Sequence, residues 1–273
     1  MTLVVAVHGI GQRKTPADRL RLLWHDAANV GLAAAERRAL AIDGFGVGYY
    51  ADVITKPYPF LGPDEPIDAE PMDADEADWL ASALDDVAAG APETPTGDLS
   101  GLPAAPEWLI RRIAAIDAVF GTGAGRLAAR VLREVYAYLH RPDLGKVIRA
   151  KVRAAVTPGT RVLFGHSLGS VVAYDMLRRG TITADALVTA GSPLGWASVR
   201  KALSDTGRLD AAVVGSWRNV YDPNDAVTAG RGLAGLGADI TDEKADNGWQ
   251  DAHGAVRYLS SAAAGRALGD SLP

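Results

Sequence analysis

The chain has 273 residues, 48% of them hydrophobic and 22% charged, enough apolar material to bury a sizeable core and too much for wholesale disorder. It has no cysteine, which excludes disulfides, thiolate metal sites, iron–sulfur ligation and a cysteine nucleophile. The net charge of -5 at pH 7 speaks against a binder of phosphate backbones, so no nucleic-acid partner is implied.

Leu3 to Val7 is a short apolar run that stops at His8-Gly9-Ile10-Gly11, the pattern of a strand buried on both faces and ending in a loop. It is too short for a signal-peptide core or a membrane span, and no positive flank precedes it, so the expected address is the cytoplasm. Export by a route without an N-terminal signal stays compatible with this reading. Thr15-Pro16-Ala17-Asp18 predicts a helix running to about Arg38, with Thr15 as N-cap and Pro16 in the first turn. Phe45 to Val53 reads as a second strand.

Pro57 to Glu107 then holds thirteen acids, no lysine or arginine, and nine of the fifteen prolines. Arg111 to Arg153 is the reverse, with ten bases against three acids, so the two stretches are expected to face each other. The proline content suits an irregular insertion. Helices are predicted over Asp73–Ala89, over Pro106–His140 with a break at Gly121-Thr122-Gly123, and over Leu144–Ala155. Strand and helix alternate again after that: Arg161–Phe164 strand, Leu168–Arg179 helix, Ala186–Ala190 strand, Ser198–Ser204 helix, Ser216–Tyr221 strand, and a closing helix from Gly254 to Leu268. This alternation predicts an α/β fold with a mostly parallel sheet, helices on both faces, and functional groups at the carboxyl ends of the strands.

Gly165-His166-Ser167-Leu168-Gly169 matches G-x-S-x-G between an apolar strand and a helix, the context in which a sharp turn presents a serine oxygen above the sheet. Gly165 and Gly169 remove side chains that would collide with neighbouring backbone. A serine hydroxyl is a weak nucleophile and needs a base plus a group that orients the base. His253 is the only histidine after Ser167 and opens the last helix, so it is the expected base. For the acid, Asp222 and Asp225 both follow a strand; Asp222 precedes proline and suits a turn cap, which leaves Asp225 as the better partner and Asp222 as the reserve. The N–H of Leu168, at a helix start, and that of Ile10, in the loop supported by His8, Gly9 and Gly11, are the expected oxyanion donors.

Together, Val7-His8-Gly9-Ile10-Gly11-Gln12, Gly165-His166-Ser167-Leu168-Gly169, Asp222-Pro223-Asn224-Asp225-Ala226-Val227 and His253 resemble the α/β-hydrolase family, specifically its small bacterial lipase/esterase-like members. Gly191-Ser192-Pro193-Leu194-Gly195 resembles the pocket-framing loop after the next strand. The resemblance implies that the acid lies in a D-x-V loop, which favours Asp225. It covers residues 1–55 and 156–270, and the core is expected over 1–55 and 156–273. Residues 56–155 are then a helical and irregular cap or lid. The chain begins at the strand that carries the oxyanion loop, so the fold is expected to lack the family's first two strands. Thr228 stands where a proline often follows the valine.

The implied activity is that of a serine hydrolase cleaving carboxylic esters, lipophilic acyl esters above all, through a Ser167–His253–Asp225 triad and an acyl-enzyme. A thioesterase or an amidase/peptidase would use the same parts, and a non-catalytic binding protein would keep them as scaffold. Gly230-Arg231-Gly232-Leu233-Ala234-Gly235 matches G-x-G-x-x-G but does not follow a strand, so it reads as a loop and implies no nicotinamide cofactor. No metal or other cofactor is expected. The partner is a small-molecule or lipid ester, with peripheral membrane contact through the cap left open. The apolar face of Trp108, Leu109, Ile110, Ile113, Ile116, Val119 and Phe120 would either pack on the core or form an acyl-binding wall.

Overall fold

The computed structural model describes residues 2–9, 11–53, 72–88 and 106–272. Among the described residues, six parallel strands form one sheet in the order β2-β1-β3-β4-β5-β6. They are β1 (Val4–Val7), β2 (Phe45–Gly48), β3 (Val162–His166), β4 (Ala186–Ala190), β5 (Ser216–Tyr221) and β6 (Ile240–Lys244). Helices α1 (Ala17–Ala34), α8 (Ala255–Ser260) and α9 (Ala262–Gly269) cover one face. On the other face lie α2 (Ala74–Ala88), α3 (Glu107–Phe120), α4 (Ala124–His140), α5 (Pro142–Ala155), α6 (Leu168–Arg178) and α7 (Ala197–Leu203). Val4, Ala6, Val162, Phe164 and Val188 point into the first core, whereas Val5, Val7, Leu163 and Leu187 point into the second. Both faces are apolar, which is why these strands read as continuous hydrophobic runs without alternation.

The structure departs from the sequence expectations in four places. α1 starts at Ala17 with Pro16 in the cap position and no side-chain cap bond, so Thr15 does not act as N-cap, and it ends at Ala34, short of Arg38, where Glu36 turns to φ 57°. β2 stops at Gly48, not Val53, because the Tyr50 N–H leaves the ladder and donates to His8 Nε2 (3.0 Å). β6 has no counterpart among the expected strands. Of Ile-Thr-Asp-Glu-Lys only Ile240 is buried, so an edge strand held by its backbone pairing to β5 carries almost no apolar signal. The closing helix is two helices. Ser261 is extended (φ -75°, ψ 147°) and its hydroxyl accepts from the Ala264 N–H (3.1 Å) to start α9 afresh.

The acidic and basic stretches do meet where they are described. Glu76 on α2 accepts from Arg133 (2.7 Å) and Arg141 (3.3 Å), with its side chain only 3% exposed. Asp85 takes both ends of the Arg112 guanidinium at 2.8 and 2.7 Å. Leu109, Ile113 and Ile116 of α3 are buried in the same core as the sheet, so that part of its apolar face packs inward, while Phe120 at its end is only partly buried. Proline-rich 57–71 and 92–103 lie outside the described residues. Among the described residues, no helix is long and apolar enough to cross a membrane.

The Gly230–Gly235 loop is held by Asp242, whose carboxylate accepts the N–H groups of Leu233 (2.9 Å) and Ala234 (2.8 Å).

Glu76→Ala takes away the buried carboxylate that Arg133 and Arg141 share. Glu76→Ala is expected to lower unfolding stability by about 3 kcal/mol in urea titration. Glu107→Ala, which breaks the solvent-exposed pair with Arg111, should cost no more than about 1 kcal/mol.

Candidate active site

Ser167 stands at the carboxyl end of β3, between the strand and α6. Its backbone has φ 54° and ψ -129°, a conformation that side-chain-bearing residues rarely take and that turns the chain sharply from strand to helix. The turn works only because its neighbours are small. A Cβ on Gly165 would lie 2.5 Å from the Ser170 Cα, and one on Gly169 would run into the Val7 carbonyl. α6 can therefore start directly beneath the end of β1.

From Ser167 a hydrogen-bonded line runs across the sheet edge. The Ser167 Oγ lies 2.9 Å from His253 Nε2, and His253 Nδ1 lies 2.9 Å from Asp225 Oδ2. A carboxylate can only accept, so Nδ1 carries the proton and Nε2 is left to accept from the serine hydroxyl. All three residues are buried. Asp225 is set by the turn after β5, where its Oδ1 accepts from the Val227 N–H (2.9 Å). A hydroxyl in line with an imidazole and a carboxylate can be activated as a nucleophile.

Asp222, the reserve acid, is engaged elsewhere. Its Oδ1 accepts from the Asn224 N–H (2.7 Å) and its Oδ2 from the Asn247 N–H. Asn247 in turn donates its side-chain amide to the Ala252 carbonyl (2.8 Å), so Asp222 braces the loop that delivers His253.

The loop after β1 meets the serine from the other side. A Cβ on Gly9 would fall 2.5 Å from the Ser167 Cβ, so only glycine lets this backbone come so close. His8 ties the loop down: its Nδ1 donates to the Gly9 carbonyl (2.8 Å), its Nε2 accepts from Tyr50, and its ring stacks on Tyr50 at 4.0 Å. The Tyr50 hydroxyl closes the clasp on the His8 carbonyl. Gly11 takes the left-handed conformation (φ 81°). Ile10, the expected first oxyanion donor, lies outside the described residues. The Leu168 N–H heads α6, where helix geometry leaves it without an intrahelical carbonyl and the dipole is positive.

Three supporting residues were not singled out in the sequence. Tyr258 donates to Asp225 Oδ2 (2.8 Å), the same oxygen that His253 uses, and its hydroxyl accepts from the Asp222 N–H (3.0 Å). His166 donates Nε2–H to the His253 carbonyl (2.8 Å). Tyr50 clasps His8. The signal for His166 was its place inside the elbow; the two tyrosines stand in segments with no motif, and only folding brings them to the site. Burial pushes the phenol of Tyr258 well above its ordinary value and the imidazole of His166 well below its own, so both stay neutral.

A cavity of about 240 Å³ opens beside His253 and Asp225, lined also by Phe120, Leu127, Trp249 and Asp251. Among the described residues no group of three or more His, Asp or Glu side chains is placed to hold a metal ion.

Burial lowers the His8 imidazole to about 4 from its ordinary 6.5. The unfolded chain then takes up a proton that the folded chain refuses, so the stability this neutral ring provides is complete above the unfolded value and is lost as pH falls toward the folded one. Between about pH 7 and about pH 5, wild type is expected to lose about 2 kcal/mol more unfolding stability than His8→Gln, read by urea titration at each pH.

Comparison with protein-family models, with curated proteins and with solved structures finds no match to this chain.

Proposed function

We propose that the protein is a serine hydrolase of α/β-hydrolase type that cleaves carboxylic esters. The observation that carries this reading is the unbroken pair of 2.9 Å contacts from Ser167 through His253 to Asp225, in a chain order of serine, acid and histidine. The serine follows β3, the acid β5 and the histidine β6, all at one edge of a parallel sheet, which supports the fold assignment. Ser167 attacks the ester carbonyl while His253 takes its proton, and Asp225 stabilises the imidazolium. The Leu168 N–H, joined by the loop after β1, holds the developing oxyanion. His253 then protonates the leaving alkoxide, and water releases the acyl group. Residues 56–155 act as the cap in this reading and contribute Phe120 and Leu127 to the cavity wall. With Trp249 these suit a lipophilic ester.

A fluorophosphonate probe should label the wild type, and labelling should vanish in Ser167→Ala. Hydrolysis of short esters should fall about a thousandfold or more in Ser167→Ala, His253→Ala and Asp225→Asn. A folded wild type that neither labels nor cleaves an ester would overturn the reading in favour of a binding protein. Matched ester, thioester and amide substrates separate the related hydrolases; faster amide cleavage would move the substrate class.

Tyr258 is a positioning residue in this scheme. Its hydroxyl shares Asp225 Oδ2 with His253 Nδ1, so Tyr258→Phe removes one of the donors that orient the acid. kcat is expected to fall about tenfold with KM little changed. A variant of unchanged kcat, or one whose KM rises while kcat holds, would count against the positioning role.

A further inference from the structure

During ester cleavage the leaving-group oxygen must come within hydrogen-bond reach of His253 Nε2, because that nitrogen returns the proton. The acyl carbonyl oxygen lies on the opposite side, toward Leu168 and Gly9. The cavity described above is lined by His253, Ala252 and Asp225, but not by Ser167, Leu168 or Gly9. It therefore stands on the leaving-group side of the site. Its chemistry is one-sided. Phe120, Trp249 and the acidic Asp251 border it, together with Gln250 and Asn224, and among the described residues no lysine or arginine lines it. Trp249 is 68% exposed, so most of its ring is open to a ligand from solvent. The other lining carboxylate, Asp225, already accepts from His253, Tyr258 and the Val227 N–H, so Asp251 carries the charge available to a ligand.

Aromatic faces next to a carboxylate attract a cation and repel an anion. Resting on the hydrolase reading, we infer that this cavity takes a leaving group bearing a positively charged nitrogen, so that the preferred substrates are esters of amino or quaternary-ammonium alcohols. In the acyl-transfer step the bond from the carbonyl carbon to the alcohol oxygen breaks as the bond to Ser167 Oγ persists, and the proton taken from Ser167 passes through His253 to that oxygen. The amino alcohol departs with its cation unchanged. Water then attacks the acyl-serine, giving the free acid and restoring the Ser167 hydroxyl.

The test uses three esters of butyric acid: trimethylammonioethyl, the isosteric neutral dimethylbutyl, and an anionic carboxyethyl ester. Wild type is expected to show a kcat/KM for the cationic ester about fivefold or more above its neutral isostere, with the anionic ester lowest. In Asp251→Asn and in Trp249→Ala the cation-to-neutral ratio should fall toward one. Because each ratio is internal to one protein, partial loss of folded material does not alter it. Equal or reversed preference in wild type, with the neutral ester still cleaved in a Ser167-dependent way, overturns the cation site and leaves the esterase intact. A preference that survives both substitutions overturns the assignment to Asp251 and Trp249. If no ester is cleaved and the fluorophosphonate probe does not label Ser167, the hydrolase reading itself fails, and the leaving-group site with it.

Discussion

All six strands run the same way, so their carboxyl ends share a single edge of the sheet, and every loop that leaves that edge competes for the same small volume. His8 after β1, Ser167 after β3, Gly191 after β4 and Asp225 after β5 are brought together by this geometry and by no local sequence feature. The tolerance is small. Gly9 abuts Ser167, Gly169 lies against the Val7 carbonyl, and a Cβ on Gly191 would fall 3.1 Å from His253 Nδ1. Small residues occur where backbone must approach backbone or the His253–Asp225 pair, and the rest of the site is arranged around those approaches.

Polar groups in so dry a place have to be satisfied or neutral. Asp225 is buried, yet it receives a backbone N–H and two side-chain donors. Asp222 accepts two backbone N–H groups. His8 and His166 take the other course and remain uncharged, each fixed in one tautomer by a carbonyl acceptor. The result is a set of rings and carboxylates whose orientations are determined before any ligand arrives, which is the condition for electrostatic stabilisation of a developing charge.

The helices between β2 and β3 answer to two forces. Charge pairing joins the acidic α2 to α3 and α4 through Asp85 and Glu76. Apolar packing carries α3 and α4 into the core under the sheet. A consequence is that, among the described residues of this segment, the junction of α3 and α4 at Phe120 to Leu127 borders the cavity next to His253. The charge asymmetry along the chain thus acts on packing.

The sequence by itself determined the parallel α/β class, the positions of most helices, and the pairing of opposite charges, because apolar runs, helix periodicity and charge blocks are local quantities. It also singled out Ser167, His253 and Asp225, since a glycine-flanked turn, a lone downstream histidine and an aspartate after a strand are visible in one dimension. Only the tertiary structure decided that Asp225 and not Asp222 meets His253, that β6 exists, and that Tyr50 and Tyr258 support the site. Those outcomes depend on backbone pairing at a sheet edge and on hydrogen bonds between residues far apart in the chain, such as Tyr258 with Asp225, which leave no periodic trace in the sequence.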